Sequence, residues 1–366
     1  MEIIVKSSLI CWLIMVLVSC TSQTEKPISE ESDSVNVVSI NTLNIVQPER
    51  GKVIKYRQPL VVLCSNYKFN SGDSLRIEVN GIYFPFYSVR SGAIELKTDS
   101  MKAGTNLVRI RLYGDTIKEG NTSVTLISDK APTEYTYRVI RAYPHDDRSY
   151  TQGLEYYEGY MYEGSGQYGE SMLRKYKLET GELIQSYNLP NNVFGEGIVI
   201  FNQKIYQLTW QSRIAYEYDM NTFKLLRTFE FNTEGWGLTK YGNLLVMSDG
   251  SNRLYFLNPE TFTEVKRLEV YNNIGPVTQL NELEYINGYL YANIYTTDDI
   301  VLINPTNGYV EGIVRLNNLL NKTKVKKNPD VLNGIAYDSK NNRLLVTGKY
   351  WPEIYHIEII PKKETL

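Results

Sequence analysis

The chain has 366 residues, with 39 basic and 41 acidic side chains and a formal net charge of −2, long enough for two domains with sizeable cores. That balance supplies no basic footprint for nucleic acid and no strong field for an acidic ligand. Only two histidines occur, His145 and His356, at opposite ends of the C-terminal region, which argues against a His-rich catalytic metal site. The 30 tyrosines suit the pleated, half-buried surfaces of an all-β protein.

Residues 1–20 read as a targeting signal. Lys6 precedes an apolar run over 9–18 that is too short for a comfortable membrane span. The run ends Leu17-Val18-Ser19-Cys20, which resembles a bacterial lipoprotein box with Cys20 as the lipidated first residue of the mature chain; an ordinary secretory signal containing a cysteine is the alternative. The lipidated reading places the protein in the bacterial cell envelope, held to the membrane by its anchor and either periplasmic or surface-exposed. Residues 21–36 are polar, rich in Ser and Glu, and have almost nothing to bury, so they read as a flexible tether that reaches on the order of 50 Å when extended. Cys11 would leave with the signal and Cys64 stands alone in an apolar segment, so no disulfide is expected and Cys64 reads as a small core hydrophobe.

Residues 37–130 alternate short strands with turns. Leu75-Arg76-Ile77-Glu78-Val79 runs into Asn80-Gly81, and Val108-Arg109-Ile110-Arg111-Leu112 repeats the alternation, while 59–63 predicts a more buried strand. The pattern predicts an immunoglobulin-like β-sandwich. With no polar cluster, its role reads as spacer or docking module, with a binding role as the alternative. Pro132 marks the hinge to the next domain.

Residues 133–361 carry a repeated phrase: Gln152-Gly153-Leu154-Glu155-Tyr156, Glu196-Gly197-Ile198-Val199-Ile200, Glu234-Gly235-Trp236-Gly237-Leu238, Asn281-Glu282-Leu283-Glu284-Tyr285 and Asn333-Gly334-Ile335-Ala336-Tyr337. The steps between copies are about 44, 40, 45 and 52 residues, the repeat length of a four-stranded propeller blade. Five copies predict a five-bladed β-propeller, with 135–142 supplying the outer strand that the last unit lacks and so closing the ring. Lys322, Lys324, Lys326 and Lys327 fall in the longest step and read as a solvated insertion, with membrane-surface contact as the alternative.

The residue before the shared Gly or Glu in each copy should face the axis: Gln152, Glu196, Trp236, Asn281 and Asn333. Four are polar and one is a carboxylate, where a purely structural core would prefer small or apolar side chains. The same offset on the second strands reaches Trp210, Tyr295 and Lys349. Aromatic walls around Glu196, with the Lys349 ammonium nearby, would desolvate the carboxylate and raise its pKa, making it a proton donor and acceptor near neutrality. No Gly-x-Ser-x-Gly elbow or Gly-Lys-Ser/Thr phosphate loop is present.

The spaced phrases Tyr143-Pro144-His145-Asp146, Tyr150-Thr151-Gln152-Gly153-Leu154, Gly195-Glu196-Gly197, Leu208-Thr209-Trp210, Glu234-Gly235-Trp236-Gly237-Leu238, Asn281-Glu282-Leu283-Glu284, Ala292-Asn293-Ile294, Leu332-Asn333-Gly334 and Thr347-Gly348-Lys349 together resemble the plant-type glutaminyl-peptide cyclotransferases, or glutamine cyclotransferases. The resemblance covers 135–360 and leaves the N-terminal sandwich outside. It implies a five-bladed propeller and a metal-independent acyltransferase, without organic cofactor, that turns the N-terminal glutamine of peptides or proteins into pyroglutamate and releases ammonia. It places the catalytic set on Glu196, Asn281 and Lys349, and the substrate-binding set on Gln152, Tyr150, Trp210, Trp236 and Tyr295, to which the axial pattern adds Asn333. Tyr150 stands where phenylalanine is usual in the family and Tyr295 where a third tryptophan is usual. The competing classes are a non-enzymatic envelope propeller that binds peptide or glycan or scaffolds a complex, and a six-bladed metal-dependent lactonase, disfavoured by the repeat count. Oligomeric state is left open.

Overall fold

The computed structural model describes residues 41–65, 70, 72–88, 93–320 and 328–362. The expected signal, Cys20, the tether and the run Lys322, Lys324, Lys326 and Lys327 lie outside these residues. Every regular element among the described residues is a strand.

The N-terminal strands are β1 (Asn41–Thr42), β2 (Ile45–Gln47), β3 (Lys52–Lys55), β4 (Leu60–Cys64), β5 (Ser74–Val79), β6 (Ile82–Tyr83), β7 (Tyr87–Ser88), β8 (Ala93–Leu96), β9 (Gly104–Tyr113) and β10 (Lys118–Ile127). They form two sheets. One runs β1-β10-β9-β5-β6, with β3 on β10 and β7 on β5; the other is β2-β4-β8. Alternation decides which side chains enter the core between them: Leu75, Ile77 and Val79 from one sheet meet Leu60, Val62 and Cys64 from the other, while Arg76 and Glu78 face outward. Asn80 and Gly81 both have positive φ, 49° and 84°, the geometry that a two-residue hairpin requires. Cys64 is a free, buried thiol that burial pushes up to about 11.

The C-terminal strands build larger sheets. Three are four-stranded antiparallel sets: β12 (Thr151–Tyr157), β13 (Tyr160–Ser165), β14 (Met172–Lys177) and β15 (Leu183–Asn188); β16 (Gly195–Phe201), β17 (Lys204–Thr209), β18 (Ile214–Asp219) and β19 (Leu225–Glu230); β20 (Leu238–Tyr241), β21 (Leu244–Ser248), β22 (Arg253–Leu257) and β23 (Glu264–Glu269). The rest form one eight-stranded sheet of β24 (Leu280–Ile286), β25 (Tyr289–Ile294), β26 (Asp299–Ile303), β27 (Val310–Arg315), β11 (Thr133–Pro144), β30 (Glu353–Pro361), β29 (Arg343–Gly348) and β28 (Leu332–Asp338), in that order. The fusion arises because β11 serves two neighbours. Its long antiparallel pairing with β30, from Tyr135 to Pro144, supplies the outer strand expected of 135–142, and its first three residues also pair in parallel with β27.

The first strand of each set is buried on both faces, whereas outer strands such as β15 and β19 are largely exposed. β12 packs beside β16, β16 beside β20, β20 beside β24, β24 beside β28, and β28 beside β12, so the five inner strands close a cycle. The shared glycines permit this approach: a Cβ on Gly153 would lie 2.3 Å from the Ile198 nitrogen, and one on Gly237 only 2.0 Å from the Asn281 carbonyl oxygen. In the fourth copy Glu282 replaces the glycine, and its carboxylate accepts the Leu154 and Ile335 amides at 3.2 and 2.8 Å.

Candidate active site

Antiparallel pairing brings the start of each inner strand beside the end of the second strand. Thr151 lies opposite Ser165, Gly195 opposite Thr209, Leu280 opposite Ile294 and Leu332 opposite Gly348. The residues just past the second strands, Trp210, Tyr295 and Lys349, therefore meet the first residues of the inner strands at one end of the cycle. In four inner strands the ladder register breaks at the axial residue itself, spanning Gln152, Glu196, Asn281 and Asn333. Such breaks re-aim side chains, here off the sheet and toward the axis.

The result is a cavity of about 200 Å³ lined by Tyr150, Gln152, Gln167, Phe194, Glu196, Trp210, Trp236, Asn281, Tyr295 and Lys349. Eight of these were expected from the sequence. Asn333 does not line the cavity: it lies one layer behind, where its Nδ2 donates to the Thr151 carbonyl at 3.0 Å and to Gln152 Oε1 at 3.1 Å. Gln152 Nε2 in turn donates to Glu196 Oε1 at 3.0 Å. Asn333 thus orients Gln152, and Gln152 orients the carboxylate.

Phe194 and Gln167 were missed. Phe194 lies just before β16 and two residues before Glu196, and its place in the Val193-Phe194-Gly195-Glu196 run is the one sequence signal it offers. Its ring meets Trp210 at 5.6 Å and Tyr150 at 6.1 Å, both edge-on. Gln167 follows Gly166 just past the end of β13, with φ of 91°, and no spacing in the sequence marks it.

Burial holds the Glu196 carboxyl well above the usual carboxylate range; attraction to Lys349 opposes this and repulsion from Glu234 adds to it. Lys349 is moved the other way, its ammonium held below the usual lysine range by burial, with Glu196 and Asp330 partly restoring it. The Lys349 Nζ lies over two phenol rings, 4.5 Å from the centroid of Tyr150 and 4.8 Å from that of Tyr295. Burial and the charge of Asp330 push the Tyr150 hydroxyl up, so it remains a neutral phenol at physiological pH. Trp236 meets Tyr295 edge-on at 5.5 Å, and the Asn281 Oδ1 is buried without a protein partner. The wall around these groups is aromatic on nearly every side, and the polar groups converge on a single small volume.

A buried carboxylate and a buried ammonium brought together in one aromatic cavity are groups suited to moving protons on a small polar group. The family model described as glutamine cyclotransferase matches residues 113–359, and the chain belongs to that family. A glutaminyl-peptide cyclotransferase of Arabidopsis thaliana is 37% identical over 226 residues, 60% of this chain and 70% of the relative. The crystal structure of Myxococcus xanthus glutaminyl cyclase superposes with a TM-score of 0.60 at 33% identity, covering 63% of this chain and 100% of the other. Most of the N-terminal pair of sheets lies outside the family match.

Proposed function

We propose that this chain is a glutaminyl-peptide cyclotransferase, converting the N-terminal glutamine of peptides or proteins into pyroglutamate. The observation that carries the residue assignment is the buried Glu196, facing Lys349 inside the aromatic cavity and held by Gln152. The α-nitrogen of the substrate forms a bond to the side-chain carbonyl carbon, and the bond from that carbon to the amide nitrogen breaks. Glu196 takes a proton from the attacking nitrogen and delivers one to the departing nitrogen, which leaves as ammonia. Lys349, its charge undiluted by water, faces the developing charge on the carbonyl oxygen. Asn281 offers an unpartnered amide oxygen to the substrate. Because nucleophile and electrophile belong to one residue, folding the side chain back between Trp210, Trp236, Tyr295 and Phe194 supplies much of the rate.

The three four-stranded sets, together with the two runs of four in the eight-stranded sheet, support reading the C-terminal region as a five-bladed propeller. The two facing N-terminal sheets with a common core support an immunoglobulin-like sandwich. For the N-terminus the proposal is a signal ending at Cys20, lipidation there, and display in the cell envelope. The catalytic reading is tested with Glu196→Gln, which keeps the hydrogen bond to Gln152 within reach and cannot shuttle a proton. Turnover of a Gln-initiated peptide should fall by roughly 10²–10⁴-fold with folding unchanged by circular dichroism. Wild-type turnover in this variant would remove Glu196 from the mechanism.

A further inference from the structure

Trp210 and Trp236 come from different sheets, yet a single atom joins them. Trp210 Nε1 donates to Glu234 Oε2 at 2.8 Å and Trp236 Nε1 donates to the same oxygen at 3.1 Å, while the Gln211 amide lies 3.4 Å from Oε1. Glu234 itself is half-buried and stands outside the cavity lining. Each indole also has its own packing contact: Trp236 packs on Gly250, where a Cβ would come within 2.6 Å of the ring, and Trp210 meets Phe194 edge-on. Neither contact ties one indole to the other. The shared carboxylate oxygen does, and it places a formal charge beside a cavity whose working group is another carboxylate.

We propose that Glu234 is a positioning residue of the reaction: its shared oxygen holds the two indole walls of the cavity at one separation. The proposal rests on the proton-transfer role of Glu196. A neutral acceptor would suffice for this task; the charge of Glu234 is a second, supporting contribution, felt at Glu196. The charged and titratable groups around Glu196 are Lys349 after β29, Tyr150 before β12, Tyr295 after β25 and Glu234 before β20, with Asp330 acting on Lys349 and Tyr150. Of these, Glu234 adds to the burial that raises Glu196, and Lys349 opposes it.

Two variants separate the tasks. Glu234→Gln keeps an acceptor oxygen and loses the charge; Glu234→Ala loses both. With Gln, KM should stay within about twofold, and the acidic limb of kcat against pH should move to lower pH, because Glu196 ionises more readily. With Ala, KM should rise by about tenfold, equivalent to about 1.4 kcal/mol of binding. The indole N–H resonances of Trp210 and Trp236 should also shift together in the Ala variant, while that of Trp351, which donates to the Asp330 carbonyl at 2.9 Å, stays in place. The substrate α-amine titrates identically in all three enzymes and cancels from the comparison.

Unmoved indole resonances with unchanged KM in Glu234→Ala would overturn the positioning role. An unmoved acidic limb in Glu234→Gln would overturn the electrostatic role. Should Glu234→Ala fail to fold, the Gln variant still decides the charge effect, and its two indole resonances, expected to move as a pair, decide the tether. Failure of the functional reading looks different: the wild-type enzyme itself would then release no ammonia, whatever the indoles do.

Discussion

Glu196 and Lys349 lean toward their neutral forms, and the direction of each shift fixes the pH dependence. As the proposed proton acceptor Glu196 works ionised, so activity should fall as pH drops through its raised pKa, well above the usual carboxylate range. Lys349 stabilises charge only while protonated, so activity should fall again as pH rises through its lowered pKa. The kcat profile is expected to be a bell narrower than two unperturbed groups would give, and Lys349→Met should remove the activity that the alkaline limb bounds. A flat profile between pH 5 and 10, close to the ordinary Glu and Lys values of about 4.3 and 10.4, would contradict these assignments.

Tyr295 is the clearest local departure from the family pattern. Its ring meets Trp236 edge-on and lies under the Lys349 ammonium, so a larger indole face there should hold the glutamine side chain more firmly. Tyr295→Trp is expected to lower KM with little change in kcat, the signature of ground-state binding gained. A large fall in kcat at constant KM would show that the hydroxyl takes part in the chemistry. At this scale the internal repeat made Gln152, Glu196, Trp236 and Asn281 legible, because one offset repeated along the chain points every copy at one axis. The role of Asn333 was less legible: the same offset placed it in the axial set, but only its partner shows that it supports Gln152 rather than facing the substrate.

Among the elements, the turn that carries Tyr150 is fixed by a buried ion pair. His145 Nε2 lies 3.2 Å from Glu163 Oε1, and the Ser149 and Thr151 hydroxyls donate to that same oxygen at 2.5 and 2.8 Å. The other ring nitrogen of His145 contacts the Trp351 carbonyl at 2.7 Å, and the Tyr350 amide donates to the Ser149 carbonyl at 2.8 Å. One network therefore ties the start of β12 to the Lys349 turn. Burial alone would raise Glu163 and lower His145, but their mutual attraction and hydrogen bonds prevail, bringing Glu163 down to about 2 and His145 up.

The sign of each shift sets a window. The depressed Glu163 contributes stability above its unfolded value of about 4.3 and loses it as pH falls toward the folded value; the raised His145 contributes below about 6.5 and loses its share as pH climbs through the folded value. Glu163→Gln leaves a buried imidazolium unpaired and should cost about 3–5 kcal/mol, most between these two limits and less at the acid end, as read by denaturant unfolding. A deficit that is constant with pH would show the pair to be uncharged. The network was not legible beforehand. His145 reads as one of two separated histidines and as part of the Tyr143-Pro144-His145-Asp146 phrase, neither of which names a partner, and Glu163 sits in an ordinary Tyr-Glu-Gly strand whose partners lie 12 to 18 residues before it.

For the whole molecule, the two regions meet through backbone. The Ala103 amide donates to the Asn307 carbonyl at 2.7 Å, the Thr105 amide to Glu269 Oε2 at 2.7 Å, and the Ser128 amide to the Asn272 carbonyl at 3.0 Å, beside a Tyr56–Tyr309 ring contact at 4.8 Å. Gly104 makes this possible. Its φ is +83°, and a Cβ would fall 2.1 Å from Glu269 Oε2. Gly104→Val should loosen the junction and expose 128–133 to proteolysis while turnover stays at the wild-type level, because the cavity draws all its residues from 150–349. Lost turnover in a folded variant would mean that the N-terminal sheets reach the chemistry. Alternation and turn residues made those sheets legible, but not the junction, which pairs residues far apart in sequence and belongs to no local pattern. The repeat likewise announced five inner strands and, through the strand that the last unit lacks, the pairing of β11 with β30, but not the parallel pairing of β11 with β27.

The most direct measurement follows a Gln-initiated peptide with the wild-type chain, in the presence of a chelator, by ammonia release and mass spectrometry together. The account predicts one ammonia per peptide, a product lighter by that same ammonia with its N-terminus blocked, and turnover lower by roughly 10²–10⁴-fold with Glu196→Gln. An unchanged peptide after prolonged incubation with folded wild-type protein, or cyclisation by Glu196→Gln at the wild-type rate, would contradict it.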